Sequence, residues 1–299
     1  MTSNISVVIP NFNGVELLQK NLQSVLSAKE NSKNNIAEVI VVDDGSTDSS
    51  VEYLNSNFKG QIKLIKHTKN RGFSAAVNTG VRSSLADFIL LLNTDVAVQK
   101  DFLIGATQIF EKQQKVFAIS LHEKGYGYAK GLFSDGYINL AMGKEEKKIT
   151  NSFYVSGGSG LFRKSIWKEL GGMDEKLLSP FYWEDIDICY RAYKRGYVCL
   201  WNPNSHIEHN HESTVSKLKK SKVNLIRERN QLIVIWKNIH SKNMIRKHVA
   251  GVLKRLSSHL GYIKVIIVAL LRLPLILKER KKEIKESKVS DEAIFAQFS

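Results

Sequence analysis

Asp87-Phe88-Ile89-Leu90-Leu91-Leu92-Asn93-Thr94-Asp95-Val96 carries an unbroken apolar run, Phe88 to Leu92, straight into a polar triplet. A short run of this kind fits a strand buried on both faces, as in a parallel sheet flanked by helices. An acid at the carboxyl end of such a strand lies where open α/β sheets bind their ligands. Taken alone, the triplet is equally a surface turn after a core strand, and its neighbours decide between the two.

Upstream, the pattern repeats. Ile5-Ser-Val-Val-Ile9 ends in Pro10-Asn-Phe-Asn-Gly14, Glu38-Val-Ile-Val-Val42 ends in Asp43-Asp-Gly-Ser-Thr-Asp48, and Ile62-Lys-Leu-Ile65 is a further short strand. Between them, Val15, Leu18, Leu22, Val25 and Leu26 fall at helical spacing. Val51 and Leu54 mark a second helix, for which Ser46 or Thr47 offers a cap. Asn70-Arg-Gly72 opens a third, whose small residues Ala75, Ala76 and Gly80 allow close packing on a sheet. Strands alternating with helices predict right-handed βαβ units and a parallel sheet. The clusters Pro10–Asn13, Asp43–Asp44 and Asn93–Asp95 then converge at one sheet edge, where a nucleotide would sit. No G-x-G-x-x-G follows the first strand and no G-x-x-x-x-G-K-[ST] occurs. Those absences argue against a standard dinucleotide fold and a P-loop NTPase.

Past residue 100 the pattern predicts a helix over Phe102–Phe110 and a strand over Val116–Leu121. Residues 122–150, rich in Gly, Lys and Tyr, read as loops and short strands facing a second substrate. Ser165–Leu170 reads as a short helix ended by Gly171-Gly172. Ile186, Cys189, Tyr190 and Tyr193 share one face of a helix that starts at Glu184-Asp185, where the dipole favours carboxylates, and stops at Gly196. Tyr197–Trp201 is a strand, and His206-Ile-Glu-His209-Asn-His211 follows it.

With 299 residues, 43% of them hydrophobic, the chain suffices for one large domain with or without an appendage. Two cysteines, Cys189 and Cys199, argue against a disulfide scaffold and form no zinc motif. Met1-Thr-Ser-Asn-Ile5 has no basic segment leading an apolar one, so no signal peptide is expected and a reducing cytoplasm fits. The charge of +15 is uneven: residues 1–213 hold 24 Lys and Arg against 23 Asp and Glu, and residues 214–299 hold 20 against 6. Ile245, Val249, Val252, Leu253, Leu256 and Leu260 form a helical stripe beside or opposite Arg246, Lys247, Lys254 and Arg255. Tyr262–Leu277 is more apolar, but its longest clean run, Val265–Leu271, is far short of the about 20 residues that span a bilayer. The expectation is a helix lying in an anionic membrane surface, peripheral on the inner face of the plasma membrane. A basic appendage packed on the main domain or on another subunit is the alternative. Nucleic acid is not expected as a partner, given the apolar segments and the near-neutral main domain. Residues 278–292 are expected to form a solvated, partly frayed helix.

Three clusters can carry chemistry. Asp95 with Asn93 can hold Mg²⁺ or Mn²⁺ against a diphosphate, His209 can add a nitrogen ligand, and Asp185 can act as a general base. Each also has a plainer reading. Glu184-Asp185 and Asp43-Asp44 can simply cap helices, the histidines can be solvated loop residues, and Gly157-Gly158 can make a turn.

In order and spacing, residues 3 to 213 resemble the inverting GT-A glycosyltransferases of family 2, most closely the bacterial rhamnosyltransferase-like branch. The resemblance rests on Val7-Val-Ile-Pro-Asn-Phe-Asn13, Val41-Val-Asp-Asp-Gly-Ser-Thr-Asp48, Asn70-Arg-Gly-Phe73 with Asn78, Leu91-Leu-Asn-Thr-Asp95, Gly157–Arg163, Trp183-Glu-Asp-Ile-Asp187 and His209. It implies a Rossmann-like, mixed, mainly parallel sheet flanked by helices, with a nucleotide-binding half over residues 1–97 and an acceptor half over 98–213. Residues 214–299 remain as a C-terminal basic helical extension. By the same resemblance, Pro10, Asn11, Phe12, Asn13, Asp43 and Asp44 line the base and ribose, and Arg71 assists. Asp95 binds the metal on the donor diphosphate, His209 completes that site, and Asp185 is the base. Gly157, Gly158, Trp183 and Glu184 lie near the acceptor or donor sugar. Asn93 departs from the pattern, since a carboxylate is usual there; its amide oxygen brings no charge to a cation.

The implied reaction moves a sugar, rhamnose from dTDP-rhamnose first and other dTDP- or UDP-sugars after it, to a glycan or lipid-linked glycan. Two rivals stand. A nucleotidyltransferase needs a basic, Gly-rich loop after the first strand, and Pro10–Gly14 has no basic residue. A non-catalytic scaffold is favoured by Asn93 and opposed by Asp95, Asp185 and His209.

Overall fold

The computed structural model describes residues 4–209 and 218–298. Strand β1 (Ile5–Asn11) is followed by helix α1 (Val15–Glu30), β2 (Ile36–Asp43), α2 (Ser50–Asn57), β3 (Lys63–Lys66), α3 (Phe73–Ser83) and β4 (Phe88–Leu92). These strands pair in parallel in the order β3-β2-β1-β4. Strand periodicity divides their side chains between two cores. Val8, Ile40, Val42, Ile89 and Leu91 face one of them. Val7, Val39, Val41 and Leu90 face the other, with Leu18 and Leu22 of α1. Every residue of β4 is buried, which is why its sequence is apolar without alternation. Helix α3 lies so close to the sheet that a Cβ on Gly80 would stand 2.3 Å from Val8 Cγ1.

The second half supplies β5 (Val96–Val98), α4 (Ala106–Lys112), β6 (Val116–Glu123), β7 (Ala129–Ser134), β8 (Tyr137–Met142), β9 (Thr150–Asn151), β10 (Ser159–Arg163), α5 (Lys164–Leu170), α6 (Glu184–Lys194) and β11 (Val198–His209). Strand β10 runs antiparallel between β4 and β6, β11 is parallel to β6, and β5 is antiparallel to β11. The result is a mixed, mainly parallel sheet. β7 and β8 form a separate hairpin, turned by Asp135 and Gly136, both with positive φ.

Several local expectations need correction. The helix expected over Phe102–Phe110 begins only at Ala106, because Gly105 sits in the left-handed region and residues before it form turns. Neither Ser46 nor Thr47 caps α2; Asp48 Oδ1 accepts the Ser50 N–H at 3.0 Å, and Ser46 Oγ accepts the Asn13 N–H at 2.9 Å.

The C-terminal segment folds as α7 (Lys220–Asn238), α8 (Lys242–Ser258), α9 (Ile263–Leu270), α10 (Leu273–Glu286) and α11 (Asp291–Phe295). Leu232 to Ile235 of α7 share a core with Ile188 and Tyr190 of α6, and Phe295 and Phe298 pack on Phe153. Residues 278–292 are therefore not a solvated, frayed end. Glu283 is buried 2.8 Å from Arg195, and Asp291 is buried 2.7 Å from Lys194 and 2.6 Å from the Tyr190 hydroxyl. The stripe expected to form one face of α8 is only partly its buried side: Ile245 and Val252 pack against the core. Val249 and Leu253 are exposed, as is Leu260 beyond the helix, and the fully buried side chain of that helix is His248. His248 donates from Nδ1 to the Gly136 carbonyl at 2.7 Å and accepts from Trp236 Nε1 at 2.9 Å, seating the hairpin turn on the helices. Among the described residues no single helix is long and apolar enough to cross a membrane; Leu260–Leu270 and Leu273–Glu286 form a pair bent by 68°.

Candidate active site

The loops at the carboxyl ends of β1, β2 and β4 enclose a cavity of about 380 Å³. Six of the predicted residues line it: Pro10, Asn11, Phe12, Asp44, Asn93 and Asp95. Asp44 is buried and already bonded. It accepts the Gly72 N–H at 2.8 Å, the Arg71 N–H at 3.0 Å and His67 Nδ1 at 2.6 Å, and so fixes the entry into α3. Asp43 accepts from Asn11 Nδ2 at 2.9 Å and from the Ser46 N–H at 3.0 Å, which orients the Asn11 side chain. Asn13, at φ 51°, accepts the Thr47 N–H at 2.7 Å and braces the first loop against the second, off the cavity wall. The Arg71 guanidinium reaches Glu175 at 3.2 Å and does not line the cavity.

Strand register explains how Asp95 meets a histidine 114 residues later. Along β11 against β5, His209 pairs with Val96, the residue after Asp95. His209 Nε2 lies 3.2 Å from Asp95 Oδ1, and its Nδ1 lies 3.5 Å from Glu123 Oε2. Burial alone would lower the imidazole pKa; the two carboxylates outweigh it and hold it above the usual value. An octahedron with metal–ligand bonds of about 2.1 Å sets neighbouring ligands about 3.0 Å apart, close to this 3.2 Å gap. The pair thus fits a divalent cation with one oxygen and one nitrogen. Among the described residues no cluster of three or more His, Cys, Asp or Glu closes around a metal. A cation held here keeps positions open for substrate oxygens, as Mg²⁺ and Mn²⁺ do with phosphates.

Asp185 stands at the start of α6, after a tight turn in which Tyr182 and Trp183 both have positive φ. Its Oδ1 accepts the Ile186 N–H at 2.8 Å. Burial pushes its carboxyl up to about 6, against the downward pull of the Ile186 and Gly157 N–H groups. No ion pair holds it among the described residues, as a base requires. Gly157 precedes Gly158, whose carbonyl accepts the Asn93 N–H at 2.9 Å. Asp185 is therefore linked through two glycines to the triplet that ends β4. Glu184 is buried, its Oε2 meets no partner among the described residues, and burial next to Asp185 pushes its carboxyl up to about 8. Trp183 is a core side chain. His206 is exposed, its ring 4.6 Å from that of His122, and His211 lies outside the described residues.

Pattern reading missed part of the cavity wall. Phe73, Pro180, Phe181 and Lys222 line it. Pro180 and Phe181 directly precede the Trp183-Glu184-Asp185 motif and were open to notice. Lys222 is one basic residue in a basic segment and carries no local signal.

Parallel strands with acids at their carboxyl ends, opened by an antiparallel β10 and closed by a returning strand bearing His209, define a GT-A nucleotide-sugar fold. The chain belongs to the family Glycosyl transferase family 2, whose model matches residues 6–170. It is 24% identical over 248 residues to the poly-beta-1,6-N-acetyl-D-glucosamine synthase of Staphylococcus epidermidis, a match covering 80% of this chain and 58% of the synthase. The chain thus spans little more than half of that relative. Among solved structures it is similar to GalNAc-T7 with UDP, GalNAc and Mn²⁺, with a TM-score of 0.64 and 16% identity over 87% of this chain and 57% of that one. S. aureus TarS 1–349 in complex with UDP-GlcNAc gives a TM-score of 0.58 and 17% identity over 98% of this chain and 83% of that one. At such identities the likeness is one of fold.

Proposed function

We propose that the chain is an inverting hexosyltransferase that moves a sugar from a nucleoside-diphosphate donor to a hydroxyl of a glycan or lipid-linked glycan. The observation that carries this reading is the cavity at the ends of β1, β2 and β4, walled by Asp44, Asn93 and Asp95. Pro10, Asn11, Phe12 and Asp44 take the base and ribose, and residues 98–213 supply the acceptor side. Asp95 and His209 hold Mg²⁺ or Mn²⁺, which when bound neutralises charge on the departing diphosphate. Lys222, the one cation on the cavity wall among the described residues, adds a second positive charge from α7.

Asp185 takes the proton of the acceptor hydroxyl. The hydroxyl oxygen forms its bond to the anomeric carbon as the bond to the diphosphate oxygen breaks and that electron pair leaves with the nucleotide. Attack from the opposite face inverts the centre through an oxocarbenium-like transition state, as in glycoside hydrolysis. The resemblance of the motifs favours rhamnose from a dTDP donor; the names of the related proteins carry N-acetylglucosamine and UDP. A panel of nucleotide sugars titrated into the purified protein decides. Binding of a pyrimidine-linked sugar, with transfer abolished by EDTA, is the expected result. Failure to bind any of them sinks the reading and leaves a scaffold.

The reading places the enzyme in the cytoplasm, on the inner face of the plasma membrane. Leu260 and Leu271 are 76% and 77% exposed beside Lys264 and Arg272, an apolar edge set in cations that suits anionic lipid. Truncating the tail would remove core side chains, so substitution is the cleaner test. Co-sedimentation with anionic vesicles should be lost in a Leu260→Glu, Leu271→Glu double variant. Equal sedimentation of both proteins removes this surface from the account.

A further inference from the structure

We propose that Glu123 is a positioning residue: it takes the Nδ1–H of His209 and so aims the Nε2 lone pair into the cation site beside Asp95. The proposal rests on the reading of Asp95 and His209 as that site. Glu123 closes β6, and the register pairs it with Ile207 on β11. His209 lies two residues beyond Ile207, on the same face of the strand. The imidazole therefore stands between two carboxylates, Glu123 at 3.5 Å on its Nδ1 side and Asp95 at 3.2 Å on its Nε2 side.

A neutral imidazole has one N–H and one lone pair, and the partner of one nitrogen settles the role of the other. A histidine that binds metal through Nε2 must carry its proton on Nδ1, and a carboxylate there is the usual means of holding it. With Glu123 absent, the proton is free to sit on Nε2. There it would bond Asp95 and occupy both ligands at once. The side chains of His209 and Glu123 are only 15% and 18% exposed, so water screens this contact weakly. Glu123 approaches the ring from the side opposite Asp95, which gives it a second-layer place and not a ligand's. It belongs to none of the motifs that carry the family resemblance.

The test measures Mn²⁺ binding by calorimetry or electron paramagnetic resonance, with UDP present, for the unsubstituted protein, Glu123→Ala and Glu123→Gln. Glu123→Ala should weaken Mn²⁺ binding on the order of 10- to 100-fold. Glu123→Gln should recover most of that loss, because its amide oxygen still accepts the Nδ1–H. The Mn²⁺ concentration for half-maximal rate should rise in Glu123→Ala while kcat at saturating Mn²⁺ stays near that of the unsubstituted enzyme. ¹H and ¹⁵N resonances of His209 in the unsubstituted protein with Mg²⁺ and UDP bound should show an Nδ1–H moved downfield by a carboxylate partner. This measurement decides the matter if the variants fail to fold. Mn²⁺ affinity in Glu123→Ala within about twofold of the parent, or an Nδ1–H in the Mg²⁺-bound protein with the shift of a water-exposed imidazole, overturns the proposal alone. Absence of any Mn²⁺ binding by the unsubstituted protein overturns the cation site on which it rests.

Discussion

Asn93 and Gly158 are packed so closely that a Cβ on Gly158 would fall 2.4 Å from Asn93 Nδ2 and 2.7 Å from its Cγ. The same two residues are joined by the Asn93 N–H to the Gly158 carbonyl at 2.9 Å. Gly158 thus sets the depth of the triplet that ends β4. Gly158→Ala should displace the Asn93 amide and with it the wall of the donor cavity. Because small displacements of positioning groups are costly, kcat/KM should fall on the order of 10- to 100-fold. Donor titration and steady-state kinetics check this, and kinetics matching the parent would separate Asn93 from the donor.

Asp185 supplies the second prediction. Its carboxyl is pushed up to about 6 by burial, and it can accept a proton only when ionised. Activity should therefore be full above this value and fall about tenfold per pH unit below it. Asp185→Asn should lower kcat by roughly 10²- to 10⁴-fold with donor binding retained. A pH profile flat through 6, or an active Asn variant, assigns the proton transfer elsewhere.

The parts of this arrangement differ in how far the amino-acid order reveals them, and the reason is physical. β4 is legible because burial on both faces writes an unbroken apolar run. The meeting of Asp95 with His209 is not, because it depends on β11 continuing past Trp201 and turning beside Val96–Val98, a strand too short to show a period. Motif resemblance named His209; periodicity did not. The Asp135-Gly136 pair is a readable hairpin signal within residues 122–150, where periodicity alone shows only loops and short strands. The tail misleads because composition registers charge and not pairing. Glu283 and Asp291 look like solvated residues, yet each is buried against a cation at the C-terminal end of α6, Arg195 just past it and Lys194 within it.

Lys222 leads to a third expectation. It is exposed in the first turn of α7 and lines the cavity from outside the segment that the family model matches. If it faces the donor diphosphate, Lys222→Ala should weaken UDP binding roughly 2- to 5-fold at low salt, with the difference shrinking as salt rises. Uridine, which has no diphosphate, should bind both proteins alike. Equal losses for UDP and uridine would place Lys222 elsewhere in the site.

The fourth prediction concerns what holds α6, and therefore Asp185, in place. Asp187 is buried 2.7 Å from Lys237 of α7 and 2.8 Å from Arg191. Burial would raise its carboxyl pKa, but the Lys237 and Arg191 cations overcome it and hold it at about 2. Because this value lies below that of the unfolded chain, the stabilisation is complete above the ordinary carboxylate range and is lost as pH falls toward 2. Asp187→Ala leaves a lysine and an arginine buried without that partner, which should cost on the order of 3–5 kcal/mol in denaturant unfolding. A loss under about 1 kcal/mol would mean that Asp174, 2.8 Å from the same lysine, already suffices to hold α7 against the catalytic half.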